Sequence, residues 1–210
     1  MVSNNKFRVL AFDMGASSIR AITGLLDNNK KLELEVLHRF PNEGIEDGDS
    51  LCWDVLRIWQ EMLNSMKLYV KKYGPELNSV ALDTWGVDFA LLDENDELIG
   101  KIHHYRDKRT DNIMDEMFKV VPKEEIFNQT GLQFMQVNTL VQLYAMIREK
   151  SPSFAMTKTF LMLPDYFNFF LREKELGIFN RNYFSVIQSK KQKLGKKHVK
   201  KIRFKSRVVS

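Results

Sequence analysis

The sequence predicts an α/β fold built on a mixed sheet, and three observations carry that expectation. Strand-like segments at residues 7–13, 19–26 and 32–40 follow one another across short turns, as in an antiparallel meander. One long helical face then runs from Val55 to Tyr73. A buried strand, Asn78–Asp83, comes next and leads into a mostly helical stretch. A doubly wound dinucleotide fold would alternate strand and helix from its first residues.

Taken in order, FRVLAFD at 7–13 reads as a buried strand ending on an acid, and MGASS at 14–18 as a tight turn of small residues. IRAITGLL at 19–26 is the return strand, and Asp27, Asn28 and Asn29 make the next turn. LELEVLHRF at 32–40 alternates with period two. Residues 41–50, rich in Gly, Asp, Glu and Pro, read as a loop, and Asp54 can cap the helix whose face is Val55, Trp59, Met62, Met66, Tyr69 and Tyr73. Val87–Leu92 is a further strand, with a turn at Glu94–Asp96 and 98–104 as its hairpin partner. Helices are expected at about 110–119, at 122–129 opened by Pro122, and at 138–149. A short strand at Phe160–Leu163 leads into a helix from Asp165 to Arg172, with Pro164 in its first turn.

A lone cysteine, Cys52, excludes an internal disulfide framework and fits a reducing compartment. No Cys/His cluster has zinc-ligand spacing. The N-terminus lacks the apolar core of a signal peptide, and no stretch reaches the length of a membrane span, so the expectation is a cytoplasmic protein without membrane contact. The net charge of +5 is unevenly spread. Residues 181–210 hold 11 Lys or Arg and no acid, whereas 1–180 hold 21 basic and 27 acidic residues, a net of −6.

Four constellations could carry chemistry. In Phe12-Asp13-Met14-Gly15-Ala16-Ser17-Ser18-Ile19-Arg20, Gly15 permits a sharp turn whose amides form an anion-binding concavity. Ser17 and Ser18 add hydroxyl donors, Arg20 adds a cation, and Asp13 is placed to hold Mg²⁺ through water. The same segment also reads as a plain β-turn with an exposed acid. Neither GxxxxGK[ST] nor GxGxxG is present. In Asp83-Thr84-Trp85-Gly86-Val87-Asp88, Gly86 admits a close backbone approach, Trp85 offers a flat apolar face, and Asp83 and Asp88 can accept hydroxyl hydrogen bonds. A hairpin with a buried Trp and two solvated acids explains it equally. His103-His104-Tyr105-Arg106-Asp107-Lys108-Arg109-Thr110 suits a polyol site or a charged loop capping the next helix; its adjacent histidines would point opposite ways and not chelate one metal. Leu163-Pro164-Asp165-Tyr166 is explained by helix initiation alone.

Together these motifs, with Tyr-Arg-Asp-x-Arg-Thr, Gly-Leu-Gln-Phe-Met-Gln-Val-Asn-Thr-Leu and Leu-Met-Leu-Pro-Asp-Tyr-Phe in order, resemble the rhamnulokinase branch of the FGGY carbohydrate kinases over residues 7–172. The resemblance implies an actin-like (ribonuclease H-like) lobe over residues 1–176, one of two that hold sugar and ATP between them. It implies phosphorylation of L-rhamnulose on its 1-hydroxyl with MgATP, and no nucleic-acid partner. It assigns Asp13, Ala16, Ser17, Ser18, Ile19 and Arg20 to the nucleotide site, with Ala16, Ser17, Ser18 and Arg20 on the phosphates, although Ile19 stands where the family has Gly. It assigns Gly86 to the sugar, with Thr84, Trp85 and Arg106 around it. It places the catalytic base in the second lobe, and leaves open whether such a lobe joins in trans.

From about residue 173 the family pattern stops, and 177–210 is expected to be a basic tail, disordered or loosely helical. Three readings of it stand: an out-of-frame translation of a shortened enzyme, a nucleic-acid-binding tail with Phe184 and Phe204 among its cations, or the appendage of a binding protein that keeps a sugar pocket without catalysis.

Overall fold

In the computed structural model, residues 7–171 and the two-residue strand Ile202–Arg203 are described. In chain order the strands are β1 (Phe7–Met14), β2 (Ser18–Leu26), β3 (Leu32–Pro41), β4 (Gly44–Asp47), β5 (Ser50–Trp53), β6 (Glu76–Leu77), β7 (Ser79–Thr84), β8 (Phe89–Leu92), β9 (Thr159–Met162) and β10 (Ile202–Arg203). The helices are α1 (Val55–Tyr73), α2 (Met114–Val120), α3 (Lys123–Thr130), α4 (Thr139–Arg148), α5 (Pro152–Met156) and α6 (Leu163–Phe170). They fall into two units, one of Met1–Asn42, Leu56–Thr84 and Phe167–Ser210, the other of Glu43–Val55 and Trp85–Tyr166.

The first unit is a four-stranded mixed sheet in the order β3-β2-β1-β7. The meander β1-β2-β3 is antiparallel, and β7 returns parallel to β1 after the α1 crossover, which is the connection a parallel neighbour requires. Alternation along β1 turns Leu10, Phe12 and Met14 to one face, joined by Ile19 and Ala21 of β2, and all five are buried. α1 contributes Ile58, Met62, Met66 and Tyr69 to the same core. Polar bonds tie α1 to that face: Tyr73 and Lys72 reach Glu35, Glu61 pairs with His38, and the Arg57 guanidinium donates to the Pro41 carbonyl.

β3 alternates as its sequence predicts, but its apolar side faces outward. The register slips between Ala21 and Ile22, so Leu37 is an extra residue that flips the alternation. Glu35, His38 and Phe40 thereby share the helix-covered face, and Leu32, Leu34 and Val36 stand more than half exposed on the other.

The second unit has two small antiparallel pairs, β4-β5 and β8-β9, and a helical cluster. Its core gathers Ile113, Met117, Ile126, Val141 and Ala145, with Phe89, Leu91 and Met146 beneath the β8-β9 ribbon. α3 ends on Gly131 in the left-handed region, where its N–H caps the Phe127 carbonyl.

Several expectations need correction. The loop placed at 41–50 contains the β4-β5 hairpin, turned at Asp47-Gly48-Asp49 with Gly48 at φ +63. Residues 98–104 form no strand beside β8: the hairpin contact stops at an isolated bridge, Leu92–Leu98, with the Ile99 N–H donating to the Leu91 carbonyl, while β9 pairs along the other edge of β8; a second isolated bridge joins Cys52 and His103. The first helix after Thr110 starts only at Met114, because Lys108–Thr110 is a 3-10 turn. α5 was not foreseen from the sequence. The expectations for 177–210 lie outside the described residues, save that β10 pairs antiparallel with β6.

Candidate functional site

Each unit carries one of the two candidate patches. In the first, the β1-β2 turn is locked from behind. Gly15 N–H donates to the Ser18 carbonyl at 3.1 Å, and Asn42, 1% exposed, donates its side-chain N–H to the Gly15 carbonyl at 2.9 Å and its backbone N–H to the Ser17 carbonyl at 3.1 Å. With the carbonyls of Gly15 and Ser17 held this way, the Ala16 and Ser17 amides have no acceptor among the described residues. Unpaired successive amides of this kind favour an anion.

Charged side chains flank the turn. Arg20 meets Asp13 at 3.2 Å, each about half exposed, as cross-strand partners. Arg39 lies opposite Arg20 on β3 and donates to the Ser18 hydroxyl at 3.1 Å. Asp83 sits beside Asp13 in the parallel β1-β7 register, and Thr84 beside Met14. Two arginines at an amide-rich turn suit a polyphosphate, and two solvent-accessible carboxylates on adjacent strand ends suit a hydrated divalent cation. The nucleotide and Mg²⁺ therefore fit the donor set. Ile19 is different: its side chain is fully buried in the core, so only its backbone borders the turn.

Sequence reading missed Asn42 and Arg39. Asn42 looked like part of a loop, and only the pairing of β2 with the end of β3 brings both residues to the turn.

An added Cβ on Gly15 would lie 3.0 Å from the Ser18 carbonyl oxygen, itself fixed in the turn. Gly15→Ala should therefore destabilise the chain by about 1–3 kcal/mol in denaturant titration. An unchanged midpoint would show the turn to be slack.

The second patch is organised by Asp88, which is fully buried. Its Oδ2 accepts from Trp53 Nε1 at 2.5 Å, Trp85 Nε1 at 2.9 Å and the Tyr105 amide at 3.2 Å, and its Oδ1 accepts from Gln142 Nε2 at 2.9 Å. Asp88 is thus committed to the protein, neither solvated nor free to accept hydroxyl hydrogen bonds as the sequence suggests. Trp85 packs against Trp53 with ring centroids 4.2 Å apart, and His104 stacks on Trp53 at 4.0 Å. Gly86 stands exposed beside this cluster, and an added Cβ there would meet nothing within 4 Å.

The His103–Thr110 stretch is mostly structural. Asp107, 3% exposed, accepts from the Leu51 and Arg109 amides and caps the 3-10 turn. His104 Nδ1 accepts from the Arg106 amide, and burial pushes this imidazole below its ordinary value against the pull of Asp88. Burial, helped by Arg109, takes His103 down to about 4. Arg106 is exposed, with its guanidinium over the Tyr105 ring. Among the described residues no group of three His, Cys, Asp or Glu side chains could hold a metal, and no helix is long and apolar enough to cross a membrane.

The chain is 45% identical to the rhamnulokinase of Oceanobacillus iheyensis over 168 residues, covering 80% of this chain and 35% of that one. It is 44% identical to the rhamnulokinase of Halalkalibacterium halodurans over 166 residues, covering 79% and 35%. It thus spans about a third of the length of these relatives. Among solved structures, the xylulose kinase of Rhodospirillum rubrum superposes with a TM-score of 0.64 at 16% identity, covering 81% of this chain and 34% of that one. The gluconate kinase of Lactobacillus acidophilus does so with a TM-score of 0.61 at 14% identity, covering 75% and 31%. Such distant likeness speaks to fold alone, which is the actin-like α/β fold of the sugar kinases. Residues 8–177 match the N-terminal domain of the FGGY carbohydrate kinases, and with the mixed sheet and the turn after β1 this places the chain in the FGGY family of carbohydrate kinases.

Proposed function

We propose that this chain supplies the phosphate-gripping and sugar-contacting part of an ATP-dependent kinase that phosphorylates L-rhamnulose on its 1-hydroxyl. The observation that carries the kinase reading is the turn after β1, where the Ala16 and Ser17 amides have no acceptor among the described residues and the cross-strand neighbours Arg20 and Arg39 flank it. The choice of sugar rests on the rhamnulokinase relatives.

In this reading Ala16, Ser17, Ser18 and Arg20 bind phosphate oxygens of ATP, and Arg39 adds charge on the β3 side. Asp13, with Asp83 beside it, holds Mg²⁺ through water. Bound MgATP supplies the phosphoryl group and neutralises part of its charge. Asn42 keeps the turn's carbonyls directed inward, so the amides need no reorganisation when an anion arrives. Gly86 lets the sugar approach the backbone, while Asp88 fixes the Trp85 indole next to it.

Gly86→Ala tests the sugar half cleanly. Open space around the position and the absence of a positive φ mean that stability should change by no more than about 0.5 kcal/mol. Calorimetric titration of the full chain with L-rhamnulose should show affinity falling about tenfold or more, because a methyl group fills the approach. Undiminished binding by the variant would remove Gly86 from the site.

A further inference from the structure

β3 is the outer strand of the four-stranded sheet, and among the described residues only β2 pairs with it. Leu32, Leu34 and Val36 stand 55%, 67% and 55% exposed on its outward face. The tips of Leu32 and Leu34 close over Gly24, which has no side chain to shelter them. The Asp27 N–H donates to the Lys31 carbonyl, so Lys31, Glu33 and Glu35 turn their backbone groups toward β2. Leu32 and Leu34, the alternate residues, turn theirs away from the sheet. One edge thus offers apolar side chains together with main-chain donors and acceptors that have no ladder partner among the described residues. Such an edge is a template for another strand.

We infer that β3 pairs antiparallel with β3 of a second copy of this chain, with the two-fold axis at Glu33, so that two sheets join edge to edge. Charge selects both the occupant and the register. An isologous contact needs a patch complementary to itself. Centred on Glu33, Lys31 faces Glu35 of the second copy at both ends of the ladder, and Leu32 faces Leu34 on the apolar side. Val36 lies diagonal to Leu32 of the second copy. Glu33 meets its own counterpart on the axis, but each is held by Lys31 of its chain at 3.2 Å, and Glu35 keeps its ion pair with Lys72. Centring the pairing on Leu34 instead would set Glu33 against Glu35 twice, with like charges directly opposite. The extra residue at Leu37 ends the regular edge and limits the ladder to the residues before it.

Sedimentation velocity of the full chain over a dilution series should show a monomer–dimer equilibrium in the micromolar range, since a single strand pair lies at the small end of specific interfaces. Leu34→Lys should leave the chain monomeric with an unchanged circular dichroism spectrum, because the side chain it replaces is largely exposed. Lys31→Glu should weaken association roughly tenfold, as two opposite-charge pairs become like-charge pairs. Glu33→Cys should give a disulfide-linked dimer under mild oxidation, because directly opposite residues that share no backbone hydrogen bonds lie within reach of a disulfide. The unsubstituted chain, whose Cys52 is buried, should not. A monomer at every concentration would overturn the inference, and so would a dimer that Leu34→Lys leaves intact. Association insensitive to Lys31→Glu, or cross-linking through Leu34→Cys and not Glu33→Cys, would overturn the pairing about Glu33.

Discussion

Replacing Asp88 by alanine should cost about 3–5 kcal/mol of stability. The carboxylate is fully buried and is the common acceptor for the Trp53 and Trp85 indoles, the Tyr105 amide and the Gln142 side chain. Removing it takes the acceptor from the two indoles and the Tyr105 amide at once, while Gln142 keeps the Val87 and Val137 carbonyls, and orphaned buried donors are individually expensive. Gln142 also accepts from the Arg109 guanidinium at 2.7 Å, so the loss would spread to a second buried charge. Asp88→Asn separates charge from shape. Its amide oxygen can replace Oδ2, but its NH₂ then faces Gln142 Nε2, and Gln142 must turn over and abandon Arg109. The expected cost is smaller, about 1–2 kcal/mol. Denaturant titration followed by near-ultraviolet circular dichroism would check both, since the close, tilted Trp53–Trp85 pair should dominate that signal. A loss below about 1 kcal/mol for the alanine variant would mean that water replaces the carboxylate.

Asp88 also marks a limit of sequence reading. Its position two residues after Gly86 suggests a ligand contact, yet its partners come from residues 35 and 54 positions away as well as from its own loop. Nothing local announces that Trp53 and Gln142 will converge on it. The meander, α1 and the strand that forms β7 were legible because period-two and helical patterns are written in contiguous residues, whereas the parallel pairing of β7 with β1 is seen only in the structure. The turn after β1 could be picked out as a candidate anion site for the same reason, since Asp13, Gly15, Ser17, Ser18 and Arg20 lie within eight consecutive positions. Asn42 and Arg39 escaped because the pairing of β2 with β3 brings them there. The exposure of Leu32, Leu34 and Val36 escaped because one bulged residue, Leu37, reverses the faces of a strand whose alternation is otherwise regular. The β4-β5 hairpin was hidden by composition: Gly, Asp and Glu suggested a loop, although Asp47-Gly48 is a turn signal between short strands.

Acidification from pH 7 to pH 4.5 should remove about 2–3 kcal/mol of stability through His103 alone. Burial is the main cause that brings this imidazole from 6.5 down to about 4, with Arg109 and Lys101 opposing a positive charge and Asp107 partly offsetting them. At pH 7 the folded and unfolded chains both hold it neutral. As the pH falls below 6.5 the unfolded chain takes up a proton that the folded chain refuses until about pH 4, so stability is lost across that window and levels off below it. The buried Nδ1 has no hydrogen-bond partner among the described residues to receive a proton, and Asp107 Oδ1 at 3.9 Å offsets only part of the burial. His104 is depressed in the same direction, chiefly by burial, with Arg106 adding to it and Asp88 and Asp107 opposing it, and its contribution has the same sign. His103→Gln should therefore flatten the decline in unfolding free energy between pH 7 and 4.5 without abolishing it, because His104 still titrates. Carboxylates titrating near pH 4 act alike in both proteins and cancel in the comparison. Parallel pH profiles for wild type and variant would show that the folded chain accepts the proton by local opening, and that the burial of His103 is not coupled to the unfolding being measured.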